Sequence, residues 1–212
     1  KLKSFQLYIL ASRHYLLIPG YWFRTDSDGR LTSASGCGND SASERAMVRK
    51  FIVDSVKYWA SEYNISGFRF DLMGLHDIET MQEVRKELSA IDPTIIIIGE
   101  GWNMGTHPIE IRSNQSNIQK LDGIAVFNDQ IRDGIKGSVF TASDKGFATG
   151  TFGKKNNVMA GIVGNTDFAS NILPAFTTLS PAQSVNYVEA HDNNTLEDKL
   201  RLSLSTKNSS TI

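Results

Sequence analysis

Two short apolar runs with an amphipathic segment between them constrain the fold most tightly. The first is "ISGFRFD", ending at Asp71, and the second is "TIIIIGE", ending at Glu100. The second is too short for a core helix and rich in β-branched residues, which suits a buried strand. Between the runs Ile78, Met81, Val84, Leu88 and Ile91 recur at helical spacing. Asp77 is placed to cap that helix, and Asp92-Pro93 to stop it. A span of about 30 residues from strand end to strand end suits a βαβ unit, whose two strands run parallel.

The pattern extends both ways. Upstream, "MVRKFIVDSVKYWASEY" predicts a helix, with Ser41 and Glu44 at capping-box spacing and Asn64 closing it. Phe51, Ile52, Val56, Trp59, Ala60 and Tyr63 form its apolar face, which assigns Trp59 to the core. Downstream, "GIAVFND" reads as a third strand, followed by a short helix "DQIRDGIKG", and "QSVNYVEAHDNN" as a fourth strand. Residues 1–40 read as loop, and 138–182 as a long loop with one or two short helices. Within the first loop Tyr21, Trp22 and Phe23 suit core packing better than a sugar platform. The stretch 1–17 is atypical, and 203–212 reads as a polar tail.

Composition narrows the function classes. The 212 residues are 40% hydrophobic with a net charge of -1, enough for one large core or two small ones. No basic stripe is present, which argues against a nucleic-acid partner. The single Cys37 excludes an internal disulfide framework and a Cys-cluster zinc site. No apolar run approaches the roughly 18 residues of a membrane span. "KLKSFQLYILASRHYLLIPG" is faintly signal-like, but Arg13 and His14 break its apolar stretch, so it is not read as a signal peptide. The compartment, cytoplasmic or secreted, stays open, as does the oligomeric state. "GCG" lacks the glycine spacing of a phosphate loop.

The acids fall in a pattern. Asp71, Glu100 and Asp192 each follow a strand-like run, and the remaining run ends in Asn128-Asp129. Any one such acid is as well explained by capping the next helix; three together point to the rim where parallel α/β folds carry their active sites. Arg69 and Asp71 are two apart, so in a strand they share a side, with Phe68 and Phe70 on the other. A charged pair on a strand face is costly unless it is paired or put to use. Three rim acids suit glycoside hydrolysis, which needs a carboxylate nucleophile and a protonated acid.

"GFRFDLMGLHD", "GEGW" and "NYVEAHDN" resemble three of the four signature regions of the α-amylase superfamily of (β/α)8-barrel glycosidases. The longer stretches "IPGYWFR", "GCGNDSASERAMVRKFIVDSVKYWASEYNISGFRFDLMGLHDIETM", "FNDQIRDGIKGSVF" and "VNYVEAHDNNTLEDKL" resemble type I pullulanases, from about Ile18 to Leu202. The resemblance implies an α/β fold, a (β/α)8 barrel present in part, at about its fourth to seventh strands. It implies cleavage of α-1,6 linkages in a branched α-glucan by a retaining mechanism. Asp71 would be the nucleophile, Glu100 the general acid/base, and Asp192 the third acid. Arg69 would pair with Asp71, and His191 would donate to sugar hydroxyls beside Asp192.

Other positions have two readings. Trp102 suits stacking on a glucose face or rim packing, and His76 suits substrate contact or packing. Asn39 and Asp40, in "CGND", are carried over as near-site residues, though Asp40 also suits the entry to the next helix. No cofactor is needed for the chemistry implied, and a structural calcium has no assignable ligands. The superfamily's first signature is absent upstream of "IPGYWFR", where "KLKSFQLYILASRHYL" stands, so the chain reads as a piece of a barrel. Asn103 and Glu197 also depart from the family pattern. A non-catalytic amylase-like binding module and an isoamylase- or branching-type enzyme are the alternatives. Intact Asp71, Glu100 and Asp192 weigh against the first, and the "CGND" and "EAHDN" contexts against the second.

Overall fold

The computed structural model describes residues 18–204. The atypical segment 1–17 and the tail beyond Leu204 lie outside the described residues. The chain divides into two compact units, one ending at Ile124 and the other beginning at Ala125. Among the described residues no helix is long and apolar enough to cross a membrane.

The first unit is the βαβ unit with a helix before it: α1 (Ala46–Tyr63), β1 (Gly67–Phe70), α2 (Ile78–Ile91) and β2 (Ile96–Gly99). The strands pair in parallel with Gly67 opposite Ile96 and Phe70 opposite Gly99. Asp77 caps α2 as its spacing predicts, accepting from the Thr80 amide at 2.9 Å. Asn64 ends α1 in the left-handed conformation, φ 52°, which asparagine tolerates better than most residues. The helices pack together through Val53, Val56 and Ala60 of α1 and the fully buried Met81, Val84 and Leu88 of α2. Each of these valine, methionine and leucine side chains contributes about 1.5–3 kcal/mol of apolar burial.

Two expectations for α1 fail. Ser41 and Glu44 form no capping box, because the helix starts only at Ala46. Both residues have other partners: Ser41 bridges to Phe23, and Glu44 receives the buried Arg24 guanidinium at 2.7 Å. Neighbouring Ser43 donates to Asp77 at 2.7 Å. Trp59 is not core. It is 42% exposed and sits against Tyr63, ring centroids 4.6 Å apart. Val56 and Ala60 are buried as their spacing predicts and Val53 joins them, while Trp59 and Tyr63 lie at the open margin of the stripe.

The loop before α1 is held by its own ladder. Arg24 accepts from the Thr32 amide and donates its amide to Asp40, while Ala42 donates to Trp22. Trp22 packs edge-on to Phe51 of α1, which favours the packing reading of the aromatic cluster.

The second unit contains β3 (Ala125–Asn128), α3 (Asp129–Lys136), α4 (Lys155–Ile162), β4 (Ser184–Asn186) and α5 (Leu196–Leu204). β3 and β4 pair in parallel, with Asn128 opposite Asn186. The long 138–182 loop with one helix, α4, and short 3-10 turns is as its composition predicts. The fourth strand is much shorter than expected: pairing stops at Asn186, so Asp192 lies in a loop rather than at a strand end. The polar tail also begins later than read, since Ser203 and Leu204 are the last residues of α5 and Ser203 is buried.

Candidate active site

In the first unit the residues after β1 and β2 converge. Arg69 projects from β1 and grips two carboxylates, Asp71 at 2.6 Å and Glu100 at 2.9 Å, through its two terminal nitrogens. The pairing follows from register. Glu100 continues the ladder by donating its amide to the Phe70 carbonyl at 3.1 Å, so the ends of two adjacent parallel strands present their acids side by side. Neighbouring strands lie about 4.8 Å apart, which sets the scale of that approach. The two acids differ in setting: the Asp71 side chain is 70% exposed and that of Glu100 only 11%.

Beyond Asp71 the backbone turns sharply. Leu72 is left-handed, φ 46° and ψ 45°, a conformation that costs a non-glycine residue about 1–3 kcal/mol. The turn aims the Leu72 amide at the other Glu100 oxygen, 2.8 Å away. Gly74, in the following 3-10 turn, donates to the Glu100 carbonyl at 2.9 Å and lies so close to Trp102 that a Cβ would sit 2.1 Å from its carbonyl oxygen. Gly99 is also confined, since a Cβ there would sit 2.6 Å from the Met73 sulfur. Glu100 is thereby fixed at its amide, its carbonyl and both carboxylate oxygens.

The remaining expected residues of this unit separate. Trp102 follows Glu100, its ring half-buried and its backbone pressed on Gly74. His76 packs edge-on to Phe70, centroids 6.0 Å apart, with Nδ1 buried and without a hydrogen-bond partner. Burial, and then the charge of Arg24, lower its pKa to about 4, so it is neutral at pH 7. That geometry favours packing over substrate contact. Asp40 is buried and braces its loop, accepting from the Thr32 hydroxyl at 2.9 Å and the Ala34 amide at 3.0 Å. It is not at the entry of α1, which lies further on. Asn39 is exposed in the same loop. Asn103 accepts from the Ser116 hydroxyl at 3.0 Å, and Glu197 pairs with Arg201.

In the second unit His191 and Asp192 stand together, Nε2 to Oδ2 3.5 Å, on an exposed loop after β4. Beneath the β3 end lies a polar network that the sequence reading did not assign. The fully buried Asn128 caps α3 through Ile131 and donates to Asn165 at 2.8 Å. Asn165 donates on to Gln130 at 2.9 Å, and Asn186 donates to the Gly161 carbonyl at 2.6 Å. The signal was present: Asn128 stands where the other strand-like runs place an acid. Among the described residues no group of three or more His, Cys, Asp or Glu is placed to hold a metal ion.

No family model matches the chain. It is 43% identical over 196 residues to a pullulanase of Bacillus subtilis (strain 168), a match that covers 91% of this chain and 27% of that protein. It superposes on the crystal structure of a pullulanase from Paenibacillus barengoltzii, complexed with maltohexaose and alpha-cyclodextrin, with a TM-score of 0.89 and 46% identity. That match covers 92% of this chain and 30% of the other. A pullulanase from Anoxybacillus sp. LM18-11, complexed with maltotetraose, gives a TM-score of 0.84 at 46% identity over 92% of this chain and 28% of that one. The chain thus spans less than a third of the length of each of these proteins.

Proposed function

Because the chain is homologous to a segment of the pullulanases, we propose that it contributes to an α-glucan debranching glycoside hydrolase that cleaves α-1,6-glucosidic linkages. Its parallel strands belong, on this reading, to a (β/α)8 barrel. The observation that carries the proposal is the Arg69 grip on Asp71 and Glu100 at the ends of two adjacent parallel strands. Retaining glycosidases place their two carboxyl groups about 5–5.5 Å apart, and adjacent strand ends suit that separation.

Asp71, the more exposed acid, is the nucleophile: it attacks the anomeric carbon and forms a glycosyl ester. Glu100 protonates the leaving oxygen, then takes a proton from the water that releases the sugar. Its fixed backbone and its Leu72 contact keep one carboxylate in place for both steps. Asp192 binds sugar hydroxyls and stabilises the oxocarbenium-like transition state, and His191 donates to the hydroxyls beside it. No step requires a cofactor. The substrates that fit are pullulan and branched starch or glycogen fragments.

The test is reducing-end release from pullulan by the full-length gene product, beside an Asp71→Asn variant. Maltotriose release that falls by roughly 10³-fold or more in the variant, with an unchanged melting temperature, supports the assignment. Activity confined to linear α-1,4 chains would overturn the linkage, and full activity of Asp71→Asn would overturn the nucleophile.

A further inference from the structure

Helix α3 reaches the loop that carries His191 and Asp192 from two points on one face. Arg132 and Lys136 are four residues apart, so they are neighbours on the helix surface. Arg132 is buried, pairs with Asp133 at 2.6 Å and donates to the Tyr187 hydroxyl at 2.7 Å. Its guanidinium also lies over the Tyr187 ring, 5.6 Å from the centroid. Lys136 is 1% exposed and donates its ammonium to the Asn194 carbonyl at 3.3 Å. Tyr187 is the first residue after β4, and Asn194 lies two residues before α5. The two contacts therefore close the segment 187–195 at both ends, with His191 and Asp192 between them.

The lysine is not explained by stability. Burial, and then the Arg132 charge, lower its pKa, with Asp133 and Glu189 opposing. One carbonyl at 3.3 Å offsets little of the desolvation of an ammonium, and an apolar side chain of the same length would pack there at less cost. What the ammonium does supply is a directed bond to the loop. A further bond, from the Leu196 amide at the start of α5 to Glu189 at 2.6 Å, ties the segment to that helix, while residues 189–195, His191 and Asp192 among them, are exposed.

We propose that Arg132 and Lys136 are positioning residues, which hold segment 187–195 at its two ends and so set the place of Asp192. The inference rests on the role given to Asp192 above. A bond of this kind acts through geometry: a displacement of about 1 Å in a reacting or stabilising group costs up to roughly 10²-fold in rate.

The experiment compares the full-length protein with Lys136→Met, Tyr187→Phe and, as a control, Lys154→Met, whose hydrogen-bond partner is Asp144. Tyr187→Phe removes only the hydroxyl and tests the other end even where the buried lysine cannot be replaced without unfolding. Two readouts are taken below the melting transition: amide exchange of residues 187–195, and kcat and KM on pullulan. Expected for Lys136→Met are exchange faster by about 10-fold and kcat lower by about 10-fold, with KM within about 2-fold. Tyr187→Phe shifts both in the same direction by less, and Lys154→Met shifts neither. Unchanged exchange in both test variants overturns the clamp. Faster exchange with unchanged kcat overturns the positioning role while leaving the function intact. A wild-type protein inert on pullulan and on other α-glucans, with exchange responding as expected, sinks the reading of Asp192 and the catalytic part of this inference with it.

Discussion

The backbone amide of Leu72 donates to a carboxylate oxygen of Glu100 at 2.8 Å, and Leu72 is left-handed where it does so. A strained residue two positions beyond β1 thus orients the acid that ends β2. The strain is supported by what surrounds it: Arg69 holds the other Glu100 oxygen, and Gly74 holds the Glu100 carbonyl.

Gly74 is therefore a sensitive position. Gly74→Ala would place a methyl 2.1 Å from the Trp102 carbonyl oxygen, which is backbone and has no rotamer to yield. The expected cost is about 1–3 kcal/mol, and on the function proposed above the full-length variant loses more hydrolysis than its unfolded share explains. Urea denaturation and pullulan hydrolysis measured together check it. A variant with wild-type stability would mean the 71–75 turn is looser than this geometry.

Acid should destabilise the first unit before the ordinary carboxylates titrate. His107 is buried, with both ring nitrogens unpartnered, and its pKa is lowered to about 4 by burial and then by Arg24 and Arg112. His76 is lowered to about 4 as well. A histidine whose folded pKa lies below its unfolded value of about 6.5 binds more protons when unfolded. Its contribution is complete above about pH 6.5 and is lost as pH falls from there toward 4. Asp77 adds to the trend further down: despite its burial, hydrogen bonds from Ser43 and Thr80 hold its pKa below the ordinary value. Stability measured from pH 7.5 to 4.5 should fall, and His107→Gln should flatten the slope. An identical slope in that variant would remove His107 from the account.

The two helices of the first unit should respond unequally to truncation. Leu88→Ala opens a cavity at a fully buried position and should cost about 2–5 kcal/mol. Trp59→Ala removes a larger side chain, but one 42% exposed and in ring contact with Tyr58 and Tyr63, and should cost about 1 kcal/mol. Denaturation midpoints rank them. The reverse order would return Trp59 to the core.

In the second unit Asn128→Ala should be costly for its size. It removes the cap of α3 and leaves Asn165 without its buried donor. A lost cap costs about 1 kcal/mol and an unsatisfied buried polar group about 1–3 kcal/mol, so a loss of at least 2 kcal/mol is expected. Asn128→Asp keeps the cap, turns a donor into an acceptor facing the Asn165 oxygen, and should be no better.

Much of this was open to inspection in one dimension. The βαβ unit, the Asp77 cap, the Asn64 stop and the buried Met81, Val84 and Leu88 all follow from local spacing, because a helix or strand repeats its faces at a fixed period. The same period put Arg69 within reach of Asp71, the residue just past β1. Other features depend on residues far apart in the chain. Parallel register brought Glu100 to the Arg69 guanidinium. Arg24 claimed Glu44, which local spacing had reserved for a helix cap. The loop after β4 began early because strand pairing, not residue type, ends a strand. Nothing in local spacing marks the two cations of α3 for burial; packing brings Tyr187 and Asn194 to them. Periodicity records which way a side chain points along its own element; only packing decides what it meets there.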